Sequence, residues 1–344
     1  MHRKNNFDFL RIVLASFVII THSFILSGKV DCDWLCEITN GQLSFSGLGV
    51  KGFFVLSGFL IFQSLERSKS IFGYFWKRTL RLFPALLVIL IITVLLGVFV
   101  YENNSILYYR NSFVWTYVPN NLSLYNLQFS IPGIFESNPY KLVINGSLWT
   151  IPYEFTMYVL LSVLFFVKKR TLIVRFVLLS AFLLLLIANL FFIKELGKYG
   201  YILSGKELLD LGLFFIAGSL LSVFRFEKVK ISTVNVILAG CLVLAFCSFC
   251  FSFFYWVKFF VLPLAIVSFG LKSTFLLNNV GNRVGDLSYG IYIYGFPVQQ
   301  TLVYYFHLEY LSLMFFSLIL SGILAYFSWH LIESRALKLK RIFS

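Results

Sequence analysis

The chain has 344 residues and is 59% hydrophobic and 19% aromatic, with only 13% charged residues and a mean hydropathy of +0.85. Soluble domains carry roughly a quarter charged residues, so these values exclude a water-soluble globular protein and point to a polytopic membrane protein. A net charge of +14 does not mark a nucleic-acid binder here, because the excess Lys and Arg sit in short loops between apolar spans.

From the N-terminus, MHRKNN leads into an apolar run with no clear small-residue cleavage site. The sequence therefore predicts an uncleaved first transmembrane helix rather than a removable signal peptide. Apolar stretches of spanning length predict ten helices, near residues 8–28, 45–64, 83–101, 147–167, 171–193, 208–224, 231–254, 256–271, 286–306 and 310–332. Residues 1–344 read as one all-α transmembrane domain, without an internal repeat or a separate soluble domain. Of 29 Lys and Arg residues, 21 fall on the side of the two termini, 7 on the other side and Lys51 within the second span. That other side also holds Asp31, Asp33, Glu37, Glu195, Glu207 and Asp210. By the positive-inside rule, both termini are cytoplasmic.

The first helix carries two ionisable residues, Arg11 and His22. Eleven residues at about 100° each bring both onto one face, about 16 Å apart along the axis. Ionisable groups inside a membrane helix are expensive and mark functional sites by default. A fixed cation near one end and a proton-transfer group deep in the span suit chemistry on a long anionic co-substrate. Asp8, three residues before Arg11, is placed to pair with it. Cys32 and Cys36 lie in an acidic outside loop at a spacing that permits a disulfide, whereas Cys241, Cys247 and Cys250 read as packing residues. No set of metal ligands is evident.

In the second span, Lys51 reads first as a residue that snorkels to the outer surface. Ser57 and Gly58 suit close helix packing, and no base stands near Ser57 in sequence. Ahead of the third span, Lys77, Arg78 and Arg81 sit at the cytoplasmic surface. Arg78 and Arg81 at i,i+3 point one way on a helix and suit a phosphate clamp, although topology alone also gathers cations there. An outside loop, residues 102–146, is rich in Asn and aromatic residues, among them Tyr108, Tyr109, Trp115, Tyr117, Tyr125, Phe129 and Tyr140. Such a surface suits a sugar, and interfacial anchoring accounts for part of it. Glu154, about two turns into the fourth span, is an intramembrane carboxylate expected at a depth similar to that of His22. A carboxylate beside an imidazole orients the ring and stabilises its protonated form.

These pieces resemble the acyltransferase 3 family of membrane-embedded bacterial acyltransferases. FDFLRI is similar to the family's opening D-x-L-R, here Asp8, Leu10 and Arg11, and Arg11 and His22 match its basic residue, ten residues, then His. GVKGFFVLSGFLI, Arg78-Thr79-Leu80-Arg81 and SLWTIPYEF with Glu154 follow in the family's order, as do LSYGIYIYGFPV (287–298) and HLIES (330–334), which contains Glu333. Gly295 stands where relatives often have His.

The resemblance implies a ten-helix core in the bacterial inner (plasma) membrane, transferring an acyl group from acyl-coenzyme A to hydroxyls of cell-surface glycans. O-antigen, capsule, exopolysaccharide or a lipid-linked precursor is the expected class of acceptor, and acetyl-CoA the expected donor. Partners are then the donor, the glycan and membrane lipids, with no nucleic acid, and a homo-oligomer is compatible. By the resemblance, His22 and Glu154 are catalytic, and Arg11, Lys77, Arg78 and Arg81 bind the donor. Trp149, Tyr153 and Lys51 are expected to bind the acceptor. Direct attack and an acyl-His22 relay both remain open. The competing reading is a transporter or flippase of a lipid-linked glycan, with His22 and Glu154 as its proton relay.

Overall fold

The structure, a computed structural model, describes residues 5–29, 32–196, 198–199 and 203–343. Arg3, Lys4 and Asp31, which entered the charge count, lie outside the described residues. Ten long helices form the described part of the molecule: α1 (Phe7–Leu26), α2 (Phe45–Arg67), α3 (Ile71–Gly97), α4 (Gly146–Val167), α5 (Thr171–Phe191), α6 (Gly205–Val223), α7 (Ile231–Cys250), α8 (Phe254–Leu271), α9 (Ser288–Phe306) and α10 (Tyr310–Lys338). Eight are long and apolar enough to cross a membrane; α6 and α9 are the exceptions. Lys206, Glu207 and Asp210 charge the start of α6, and α9 is diluted by Tyr, Gly and Gln.

The sequence places the third span from residue 83, but α3 begins at Ile71. Ser70 caps it, its hydroxyl accepting from the Gly73 N–H at 3.0 Å. The helix then runs through Pro84, which lacks the N–H for the bond to Leu80. Lys77, Arg78 and Arg81 therefore sit inside a regular helix and not on the approach to one.

Helix α2 is the central post, touching α1, α6, α8 and α4. Its approach to α6 needs glycine. A Cβ on Gly58 would lie 1.9 Å from the Phe215 carbonyl oxygen, and one on Gly218 would lie 2.0 Å from that of Val55. Ser219 Oγ donates to the Gly58 carbonyl at 3.1 Å across the same seam. The small residues around Ser57 thus do the packing that the sequence assigned to them. On the other flank, Gln299 of α9 is fully buried and its amide donates to the Ile19 carbonyl at 2.9 Å and to Ser23 Oγ at 2.8 Å. Because Ile19 and Ser23 bracket His22 by one turn or less, this bond fixes the part of α1 that bears the imidazole.

The segment between α3 and α4 is a folded cap. It contains helices Ser105–Arg110 and Ser112–Leu122, with isolated bridges joining Tyr101 to Ile134 and Ser130 to Val143. Tyr108 and Tyr117 are completely buried and form its core, while Trp115, 66% exposed, faces outward. The loop aromatics therefore divide between packing and surface. Cys32 and Cys36 are disulfide-bonded.

Candidate active site

Arg11, Lys77, Arg78, Arg81 and Glu154, drawn from three helices, line one cavity of about 590 Å³. Their electrostatic states differ. Arg11 Nη1 and Arg81 Nη2 both bind Asp286 Oδ2, at 2.9 and 2.8 Å, and Arg81 Nη1 lies 3.5 Å from Glu333 Oε2. Asp286 stands just before α9, and Ser288 Oγ donates to its other oxygen at 2.6 Å. Glu333 lies in a π-helical turn, Trp329–Glu333, that interrupts α10 and is almost completely buried. Such insertions recur at functional sites because they re-aim side chains. The expected Asp8–Arg11 pair does not form: Arg11 reaches across to Asp286, and Asp8 packs against Gly281.

Four cations around the same cavity, Arg67, Lys77, Arg78 and Lys340, have no ion pair among the described residues. Arg78 Nη2 donates to Ser64 Oγ at 3.3 Å, and its buried Nε finds no partner. Its guanidinium lies over the Tyr158 ring, 5.8 Å from the centroid. Lys77 Nζ donates weakly to Ser68 Oγ at 3.4 Å. A buried donor without an acceptor is costly, and Arg78 Nε is such a donor at the cavity. Glu154 Oε1 accepts from Ser57 Oγ at 2.8 Å and from the Tyr158 hydroxyl. Ser57 therefore does have a carboxylate neighbour, which its sequence context did not reveal.

His22 lines a second, smaller cavity of about 240 Å³, with Lys51, Trp149, Glu207 and Asp210 among its neighbours. Two residues, Val50 and Tyr292, line both cavities and form the wall between them. Tyr292 is anchored by a 2.7 Å hydrogen bond between its hydroxyl and Thr150 Oγ1. The imidazole meets Phe296 edge-on, with ring centroids 5.2 Å apart, and makes no hydrogen bond among the described residues. Next to it, Thr21 Oγ1 donates to the buried Asp33 and accepts from the Ser46 N–H at 2.8 Å. Asp33 also accepts from Cys36 N at 3.0 Å and Phe45 N at 2.9 Å. The disulfide loop is thus tied to the end of α1 that carries His22.

The expected His22–Glu154 pair is not assembled. Glu154 belongs to the cation-rimmed cavity with Ser57 and Tyr158, and the carboxylates sharing His22's cavity are Glu207 and Asp210. Asp210 is held by two lysines, with Lys258 Nζ 3.1 Å from Oδ1 and Lys51 Nζ 3.9 Å from Oδ2. Lys51 therefore pairs inward rather than snorkelling. Trp149 lines the His22 cavity, whereas Tyr153 lines neither cavity. Its hydroxyl accepts from the Ser204 N–H at 2.9 Å and braces the start of α6.

Sequence reasoning missed Arg67, Lys340, Asp286, Glu207 and Asp210 as site residues. Glu207 and Asp210 carried a usable signal, since they are acids at i,i+3 opening an apolar helix, yet topology absorbed them. Among the described residues, no group of three His, Cys, Asp or Glu side chains is arranged to hold a metal.

Eight helices of spanning length and apolar character make this a multi-pass membrane protein, and two cavities with charged side chains in their linings lie among its helices. The chain belongs to the acyltransferase 3 family: residues 4–330 match that family's acyltransferase domain. An O-acetyl transferase of Shigella phage Sf6 is 30% identical over 351 residues, covering 98% of this chain and 97% of that protein. Nodulation protein 10 of Rhizobium leguminosarum bv. viciae is 31% identical over 177 residues, 48% of this chain and 46% of that protein. No solved structure matches the chain.

Proposed function

We propose that this protein is an O-acetyltransferase that takes acetyl from acetyl-CoA and gives it to a hydroxyl of a surface polysaccharide or its lipid-linked precursor. The observation that carries this reading is the pairing of two cavities across one thin wall. One is lined by four cations that have no ion pair among the described residues, and the other by an imidazole. A nucleotide bearing several phosphates meets the needs of Arg67, Lys77, Arg78 and Lys340. The likeness to a phage O-acetyl transferase along nearly the whole chain supports acetyl as the group and a hydroxyl as its acceptor.

The donor's phosphates lie at the cationic rim, on the cytoplasmic side of an inner membrane, with both termini on that side. Arg11 and Arg81, already neutralised by Asp286 and Glu333, shape the cavity wall behind them. The pantetheine arm follows α1 from Arg11 towards His22, about 16 Å along the axis. The acetyl group reaches the imidazole past Val50 and Tyr292. His22 takes the proton of the acceptor hydroxyl as its oxygen attacks the thioester carbonyl, and the carbon–sulfur bond breaks. The thiolate leaves on the donor side and is protonated there. Glu154 acts on the donor side of the wall, fixed by Ser57 and Tyr158, and holds Tyr158 beneath Arg78.

The test is purified protein supplied with acetyl-labelled acetyl-CoA and an extracted surface glycan. Label is expected in the glycan as an alkali-labile ester. Glycan movement across a bilayer without any loss of acetyl-CoA would overturn the reading in favour of a transporter.

A further inference from the structure

Of the three charged groups beside His22 in its cavity, Lys51, Glu207 and Asp210, one has no ion pair among the described residues. Glu207 sits in the first turn of α6 and faces the cavity shared by His22, Lys51 and Trp149. A carboxylate there suits the helix dipole. That alone does not explain why it opens onto an internal cavity holding an indole and an unpartnered imidazole. Asp210, one turn on, is closed off, because both its oxygens face lysines. Glu207 has no ion pair and no hydrogen bond among the described residues. One carboxylate is therefore spent on the cavity's frame and the other is left free to bind. Tyr153 fixes its position, since the hydroxyl that accepts from Ser204 N also anchors the start of this helix.

We propose, taking the His22 cavity as the acceptor's, that Glu207 holds neighbouring hydroxyls of a neutral sugar unit whose face lies against Trp149. An ionised carboxylate is an acceptor only, and its two oxygens suit two hydroxyl donors on adjacent ring carbons. An indole supplies the apolar surface that a sugar's C–H face needs. The charges around the cavity also cancel: Lys51 and Lys258 offset Asp210 and Glu207. A uronic acid would bring a second carboxylate against Glu207 and is excluded by repulsion.

The experiment uses full-length protein in detergent and saturation-transfer NMR. Its probes are methyl glucoside, methyl mannoside and methyl rhamnoside as neutral units, with methyl glucuronoside as the acidic one. Coenzyme A binding is measured on the same samples. Neutral glycosides are expected to bind the wild type at least about tenfold more tightly than the glucuronoside. Glu207→Ala should weaken the neutral glycosides by about 10–100-fold, the range for one charged hydrogen-bonding group. Glu207→Gln, which keeps the shape and an acceptor oxygen, should remove the discrimination against the glucuronoside. Coenzyme A affinity should be the same in all three proteins. Equal binding of acidic and neutral glycosides to the wild type overturns the proposal. So does neutral-glycoside affinity unchanged in Glu207→Ala, or coenzyme A binding with no glycoside bound. Failure of coenzyme A to bind the wild type instead strikes at the acetyl-transfer reading, which the glycoside data do not touch.

Discussion

The two cavities are lined by similar residue types and treat charge in opposite ways. In the larger one, acids and cations are unequal: Asp286 and Glu333 pair with Arg11 and Arg81, and Arg67, Lys77, Arg78 and Lys340, with Glu154 as the remaining acid, have no ion pair among the described residues. In the smaller one, Lys51 and Lys258 clasp Asp210, and with Glu207 the cations and acids number two each. An unbalanced rim selects a polyanion, whereas a balanced pocket selects by hydrogen bonding and shape. Val50 and Tyr292 line both cavities. In the proposed reaction this contrast would hold an anionic donor and a neutral acceptor in separate cavities until transfer.

The sharpest way to break this contrast is at the imidazole. His22→Ala should lower acetyl transfer by about 10²–10⁴-fold, the usual worth of a general base, while coenzyme A affinity stays at the wild-type value. Weakened coenzyme A binding would mean that the two cavities do not divide donor from base. Next in size is the acid that ties two arginines. Asp286→Asn leaves Arg11 and Arg81 without their shared counter-ion, and because these pairs are only partly buried the loss falls below the about 3–5 kcal/mol of a fully buried pair. A clear drop in unfolding temperature in detergent is expected, read by differential scanning calorimetry. Wild-type stability would show that the pairs contribute nothing. Arg78→Ala should have the smallest effect, raising the KM for acetyl-CoA about 10–100-fold with little change in the acceptor KM. High salt should change that gap little, because a contact to a buried guanidinium is weakly screened.

Much of the helical frame was legible from hydropathy alone, because an apolar stretch of spanning length has few alternatives in lipid. The start of α3 was not, since Pro84 marks a helix boundary in sequence and only packing and the Ser70 cap carry the helix past it. Among candidate residues, Arg11 and Glu154 were visible as ionisable groups in apolar runs and Arg78 and Arg81 as an i,i+3 basic pair ahead of one, and all four line one cavity. Their partners were not visible. Asp286 stands 275 residues from Arg11, and no local pattern specifies that contact. For the same reason the expected pairing of His22 with Glu154 failed. Similar depth in a bilayer places two residues at one level but leaves open which face of each helix they occupy. Here α4 turns Glu154 towards Ser57 of α2, while His22 faces the start of α6.

Sidedness is the property on which the whole account depends. Proteoliposomes with the protein in one orientation, established by protease access to the C-terminal tail, would receive acetyl-CoA only at the tail's face and glycan only at the opposite face. The account predicts acetylated glycan with coenzyme A released at the tail's face, and no product when the two substrates are exchanged. Product formed only when donor and acceptor share one side of the bilayer would contradict it.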